Sequence, residues 1–295
     1  MGLFDNVMPS ERASDLALVV RRLQRRSGLE VIPVLVVEGR TDEPALGPLL
    51  HLGDAQVFSA GTRGLVEQLL VLSDSEPVDG CDCVYLVDCD GRGKSSHLRD
   101  RDSLVVTETC DLESDLVKLG VATRVASRYV EYHVAQEMVQ QAIAIAVPFS
   151  RVRRAAYRAG VSMKRSGTQI PLLDLPGSVL LDWETSAPND AEIVAAVADI
   201  AEWDATTQAS VGAEIASVSH DPERIALGKD ILDALFRLLA RDGGGEVRGW
   251  SRDHFRSVVR RELAPSDVAG WVVGRRLLCW SGSRGHQLMV TGSGA

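Results

Sequence analysis

The feature that most constrains this chain is a short, nearly unbroken apolar run over 31–37, VIPVLVV, which stops abruptly at Glu38-Gly39. A β-branched run of this length without polar alternation is the pattern of a strand buried on both faces, and such strands belong to parallel sheets covered by helices. Segments 56–60, 83–87 and 104–107 read as three further strands. Helical segments lie between or before them. One covers 12–27, with Leu16, Val19, Val20 and Leu23 at helical spacing and Arg21, Arg22, Arg25 and Arg26 on the other face. Another starts at a Thr41 or Asp42 cap and runs to about 50; a third covers 65–72 after the turn Gly61-Thr62-Arg63-Gly64. A helix also begins at 112. Strands alternating with helices predict an α/β fold with a mainly parallel sheet flanked by helices.

After residue 120 the pattern changes. Segments 121–147, 151–160, 191–204, 226–241, 254–263 and 268–279 are helical, with an irregular proline-bearing stretch over 161–190. The expected division is therefore a catalytic α/β part, 1–120, and a mostly helical accessory part, 121–295, suited to docking a partner. At 45% apolar and 25% charged residues, extended disorder is excluded. No run approaches the 18 apolar residues of a membrane span, and the first residues lack a basic segment followed by an apolar one, so a soluble, cytoplasmic protein is expected. The five cysteines are odd in number, and the closest pair is spaced C-x-C. This predicts reduced thiols rather than a disulfide framework or a zinc site.

The net charge of −9 argues at first against a nucleic-acid partner. Its distribution is less simple. Residues 1–120 hold 12 bases and 21 acids, 121–165 hold 8 and 2, 166–223 hold 0 and 11, and 224–295 hold 12 and 7. The basic blocks at 121–165 and 224–295 are thus candidate phosphate-facing or partner-facing surfaces, and part of the acidic excess is a candidate site.

Parallel α/β sheets bind ligands beyond the carboxyl ends of their strands. The acids gather there: Glu38 closes the first strand, Asp88 and Asp90 close the third, and Glu108, Asp111 and Glu113 follow the fourth. Carboxylates held together repel one another, and a multivalent cation removes that cost. All-oxygen donors suit Mg²⁺ or Mn²⁺, which keep water and bridge to phosphates. Two such ions about 4 Å apart can stabilise both the attacking and the leaving oxygen of a phosphodiester cleavage.

These residues carry a resemblance. V-V-E-G-R-T-D at 36–42, Y-L-V-D-C-D at 85–90 and T-E-T-C-D-L-E-S-D-L at 107–116 resemble a Toprim domain, the metal-binding fold of topoisomerases, primases and OLD-family nucleases. The E-G-x-x-D form and the T-x₅-E element are closer to OLD nucleases and to a related bacterial Toprim family encoded beside ATPases in anti-phage loci. Gly228-Lys229-Asp230-Ile231-Leu232 is similar to that family's G-[HK]-D-[LIV]-L element. The resemblance covers 30–120 well and 121–295 loosely. It implies that Glu38 is a metal ligand or general acid/base, that Asp88 and Asp90 are paired ligands, and that Asp42 and Glu113 are ligands of a second site. It also implies Mg²⁺- or Mn²⁺-dependent cleavage of DNA or RNA by a defence effector under control of a partner ATPase, with homo-oligomerisation left open.

Topoisomerases need a tyrosine nucleophile in a separate large domain, and primases add a zinc module, which this chain lacks; nuclease is what remains. Lys94 is a candidate for neutralising phosphate or transition-state charge. The Gly61–Gly64 turn reads as an ordinary βα turn before a phosphate cradle. Gly93-Lys94-Ser95 resembles the end of a P-loop, yet the first glycine is Asp88 and only eight residues separate Ser95 from the next strand. A phosphatase with Asp88 as nucleophile would leave Glu38 without a role. The alternative from another class is a non-catalytic Toprim-like subunit of an ATPase complex.

Overall fold

The apolar runs of the first third become four strands of one sheet in the computed structural model, which describes residues 10–24, 32–50, 55–75, 82–90, 98, 101–175, 189–218, 221–242 and 245–290. β1 is Val34–Val37, β2 Gln56–Ser59, β3 Cys83–Val87 and β4 Leu104–Val106. Their order is β2-β1-β3-β4 and every pairing is parallel, with Val34 beside Gln56 on one side and Cys83 on the other. All of β1 is fully buried, as expected of a strand covered on both faces. The two-residue strand period places Val34, Val36, Tyr85, Val87, Leu104 and Val106 on one face. They pack with α1 (Glu11–Gln24) and with Leu65, Val66, Leu69 and Leu70 of the later helix Arg63–Ser75. Leu35, Val37, Val84, Leu86 and Val105 point to the opposite face and are buried too.

From β1 the chain passes through α2 (Glu43–Leu46) and a 3₁₀ turn, Gly47–Leu49, to β2 on one flank. It returns through α3 (Arg63–Ser75) to β3 on the other flank, then steps outward to β4. The helix expected from 42 to 50 is thus one short α turn that tightens to 3₁₀, where Gly47 and Pro48 interrupt it. The direction of winding reverses between β1 and β3. That reversal is the topological switch point, where open α/β sheets form their ligand crevice.

The chain divides into two units, Met1–Leu112 with Arg260–Ala295, and Glu113–Val259. This differs from the expected 1–120 and 121–295. The last helix, Val272–Ser283, lies beside β4, and its Arg276 donates to the Val106 carbonyl at 3.3 Å. Leu50 pairs with Met289, while Arg284 and His286 both reach Asp82. These long-range bonds join segments some 170–240 residues apart, a link that local sequence pattern does not carry.

The second unit is helical: it takes in α4 (Leu112–Lys118) from Glu113 onward, α5 (Val121–Ala126), and a 27-residue helix α6 (Tyr132–Arg158). Packed on α6 are α5, α7 (Asp190–Ala201), α8 (Ala205–Ile215), α9 (Pro222–Ile225) and α10 (Gly228–Asp242); α11 (Gly245–Arg248) and α12 (Arg252–Arg261) follow. Two expectations fail here. The chain breaks at 127–131, and α6 runs straight through Pro148 rather than ending before it. A proline removes one helical bond and crowds the preceding turn. Burial of Ile145, Ala146, Phe149, Ser150 and Val152 on both sides of it outweighs that local cost. A hairpin, Lys164–Arg165 with Thr168–Gln169, interrupts the stretch read as irregular; its Ser166-Gly167 turn has both φ angles positive, which suits a tight two-residue turn.

Gly228 shows how tightly this unit closes. A Cβ there would lie 2.1 Å from the Ser114 nitrogen and 2.4 Å from the Glu113 carbonyl carbon, both immovable backbone. Gly228→Ala should cost about 3 kcal/mol in urea unfolding. Gly212→Ala, where nothing lies within 4 Å of the new carbon, should instead gain roughly 0.5–1 kcal/mol; equal effects would contradict this packing.

Candidate metal centre at the carboxyl end of the sheet

Two carboxyl-end residues meet at the switch point. Glu38 follows β1 and Asp88 follows β3, and because these strands are neighbours in register, the Asp88 N–H reaches Glu38 Oε1 at 2.8 Å. Glu38 is also anchored through its backbone: its carbonyl accepts from Gly61 N–H at 2.8 Å and from the Ser59 hydroxyl at 3.3 Å. The side chain is mostly buried, and Asp90 and Asp42 add negative potential. Burial is the largest cause pushing Glu38 up to about 7; the Asp88 N–H and the Arg63 charge pull against it.

Asp88 is held from three directions. Its N–H goes to Glu38, its carbonyl accepts Arg63 Nη1 at 2.7 Å, and its Oδ1 accepts the Leu112 N–H at 3.2 Å. The loop beyond it is fastened as well: Cys89 N–H donates to Thr107 Oγ1 and Asp90 N–H to the Cys110 carbonyl, each at 2.8 Å. Asp90 has φ 48°, a left-handed conformation that Asp tolerates better than most residues and that is common where a site holds backbone strain. Asp42 occupies the N-cap position of α2 without capping it. Its Oδ2 instead accepts the Gly39 N–H at 2.9 Å, closing the turn that follows Glu38.

Glu38, Asp42, Asp88 and Asp90 therefore share one end of one sheet. Glu113 belongs to the second unit, where it is 2% exposed beside Gly228. Lys94 lies outside the described residues. Gly61–Gly64 is a βα turn: Gly61 sits at φ 99° with its N–H on Glu38, and Thr62 Oγ1 caps α3 by accepting the Leu65 N–H. Arg63 is the site residue that sequence pattern missed. The available signal was its place just after β2, at the same end as the acids.

No model of a known protein family matches this chain, and no curated protein matches it.

The donors at this end are hard oxygens, which fit Mg²⁺ or Mn²⁺. Among the described residues, no three His, Cys, Asp or Glu side chains form a set that could hold a metal ion by themselves. That is compatible with Mg²⁺, which typically takes one or two carboxylates and completes its shell with water and phosphate oxygens. It does not suit a closed all-protein cage of the kind used for structural zinc.

Four of the eight bases of block 121–165 make hydrogen bonds or ion pairs within the second unit. Arg151 pairs with Asp190, Arg153 with Asp230, Arg154 donates to the Arg224 carbonyl and Arg158 to the Ser217 carbonyl. Half of its eight bases thus tie segments of this unit together. Asp230, from the G-K-D-I-L element, also meets Ser150, and Asp233 one turn on faces Arg256 at 2.7 Å. Burial pushes Asp233 up to about 6 against the pull of Arg256, with Asp230 adding to the rise. No helix among the described residues is long and apolar enough to cross a membrane, and the four described cysteines are free thiols.

The Glu38 shift has a sign that can be tested. Its ordinary value is 4.5 and its folded value about 7, so ionising it opposes folding: its contribution is most favourable below 4.5 and is lost as pH rises through 7. Glu38→Gln keeps an acceptor for the Asp88 N–H and removes the charge. The variant should unfold at higher urea than wild type at pH 8 without divalent ions, by roughly 2–3 kcal/mol, and the gap should close near pH 4.5. A gap independent of pH would mean that Glu38 titrates normally.

Proposed function

We propose that this chain is a Toprim-like, Mg²⁺- or Mn²⁺-dependent nuclease that cleaves phosphodiester bonds of DNA or RNA. The observation that carries this reading is the Glu38–Asp88 contact at the switch point of a parallel sheet, with Asp90 fixed beside it. The resemblance of 36–42, 85–90 and 107–116 to Toprim domains points the same way. On that resemblance we extend the proposal to a bacterial anti-phage effector governed by a partner ATPase.

Asp88 and Asp90 would hold one ion, with Asp42 shaping the turn under Glu38. A bound Mg²⁺ would supply charge neutralisation at the scissile phosphate. Glu38 does the proton work. Its Oε1 is occupied by the Asp88 N–H, which leaves Oε2 to exchange a proton with water or substrate, and burial raises this carboxyl above the usual range. The hydrogen bond from the Asp88 N–H and the fixed backbone of Asp88 keep this group in one orientation. The resemblance also implies a second ion, with Asp42 and Glu113 as its ligands.

Purified protein, alone and with the neighbouring ATPase, should cut DNA or RNA in Mg²⁺ or Mn²⁺. Glu38→Gln should slow cleavage by about 10²-fold or more, the usual size of a general acid/base contribution, and Asp88→Asn should remove metal-dependent cleavage. Equal cleavage by wild type and both variants would refute the nuclease. No cleavage of either nucleic acid under any condition would favour the non-catalytic subunit.

A further inference from the structure

Arg63 is placed where local physics disfavours it. It is the first residue of α3, and the amino end of a helix carries partial positive charge that favours acids rather than bases. The first turn of α3 contains no acid to offset it. The side chain is nevertheless largely buried, at 13% exposure. What holds it is a fork: Nε donates to Glu67 Oε1 at 2.9 Å, one turn along the same helix, and Nη1 donates to the Asp88 carbonyl at 2.7 Å. A buried base at the wrong end of a helix, turned toward the switch point, marks a position where function overrides local preference.

We propose that Arg63 is the built-in counter-ion of this carboxylate cluster, offsetting its mutual repulsion when no cation is bound and competing electrostatically with a divalent ion for the same potential; this rests on the divalent-cation reading above. Four acids, Glu38, Asp42, Asp88 and Asp90, crowd one end of a sheet, and unbalanced like charges there would oppose folding. Glu67 steers the guanidinium by fixing Nε, and the planar fork then aims Nη1 at Asp88. The guanidinium holds the Asp88 carbonyl, and its charge also lowers the negative potential felt by Glu38. Its positive charge at this end of the sheet offsets the acids when no cation is bound and opposes a second positive charge arriving there.

A strap and a counter-ion predict opposite results. If Arg63 only fastened the Asp88 loop, removing it would loosen Asp88 and Asp90 and weaken cation binding. As a counter-ion, its removal leaves Asp88 still held by Glu38 and Leu112 and strengthens cation binding. The test is the dissociation constant for Mn²⁺, read from loss of the free-ion EPR signal on the full chain at low ionic strength. Arg63→Met should bind Mn²⁺ about tenfold more tightly than wild type, the size expected for one charge acting at short range near a protein surface. Arg63→Lys, which keeps the charge and loses the fork, should stay within about twofold of wild type. Weaker binding by both variants would overturn the counter-ion and make Arg63 a strap. Wild-type binding that is unaffected by Glu38→Gln combined with Asp88→Asn, or absent altogether, would overturn the cation site itself.

Discussion

One hydrogen bond organises this end of the molecule. The Asp88 N–H meets Glu38 Oε1 across two adjacent parallel strands, and the distance, 2.8 Å, follows from the register of β1 with β3. It lets a glutamate stay mostly buried beside other acids, because a donor replaces part of the water it lost. It also joins the two chain ends that flank the switch point, so the carboxylates after β1 and β3 are positioned by the sheet rather than by loop flexibility. The Arg63 grip on the Asp88 carbonyl and the Leu112 N–H on its side chain then fix what remains. A residue held at its amide, carbonyl and carboxylate has little freedom, which is what preorganised chemistry requires.

The second unit is organised by arginines acting inward. Arg151, Arg153, Arg154 and Arg158 lie along α6 and reach an acid or a carbonyl from four later segments. Part of the charge alternation along the sequence is thus a folding device, in which bases of one block meet acids and carbonyls of the next. Asp233 and Asp230 with Arg256 and Arg153 extend that scheme into the interior, where broken pairs are costly. The tight seating of Gly228 on the Glu113–Ser114 peptide explains why the G-K-D-I-L element opens with a residue lacking a side chain.

Much of the α/β part was legible in sequence because its signals are local. Runs such as VLVV and CVYLV are short, β-branched and without amphipathic period, which reads as buried strands, and their terminal acids fall at one end of any parallel sheet. Strand boundaries accordingly agree to within three residues, and Glu38, Asp42, Asp88 and Asp90 do share one end. What escaped was non-local. The return of 260–290 to the sheet depends on contacts with residues far away in the chain. Continuity of α6 through Pro148 depends on burial of its neighbours, and the use of Arg151–Arg158 within the unit on partners up to 77 residues distant. Arg63 escaped because an arginine after a turn is usually solvated; its role appears only once β2 and β3 flank β1. Glu113 lay close in sequence to the other acids yet belongs to the other unit.

At the carboxyl end of this sheet the proposed divalent-cation site is formed by Asp88 and Asp90, with Glu38 beside it. Anomalous diffraction from crystals soaked in Mn²⁺ tests it most directly. A peak about 2.1 Å from a carboxylate oxygen of Asp88 or Asp90, on the Glu38 side of the switch point, is the predicted result. No peak at that end of the sheet, or one held only by residues elsewhere, would contradict it.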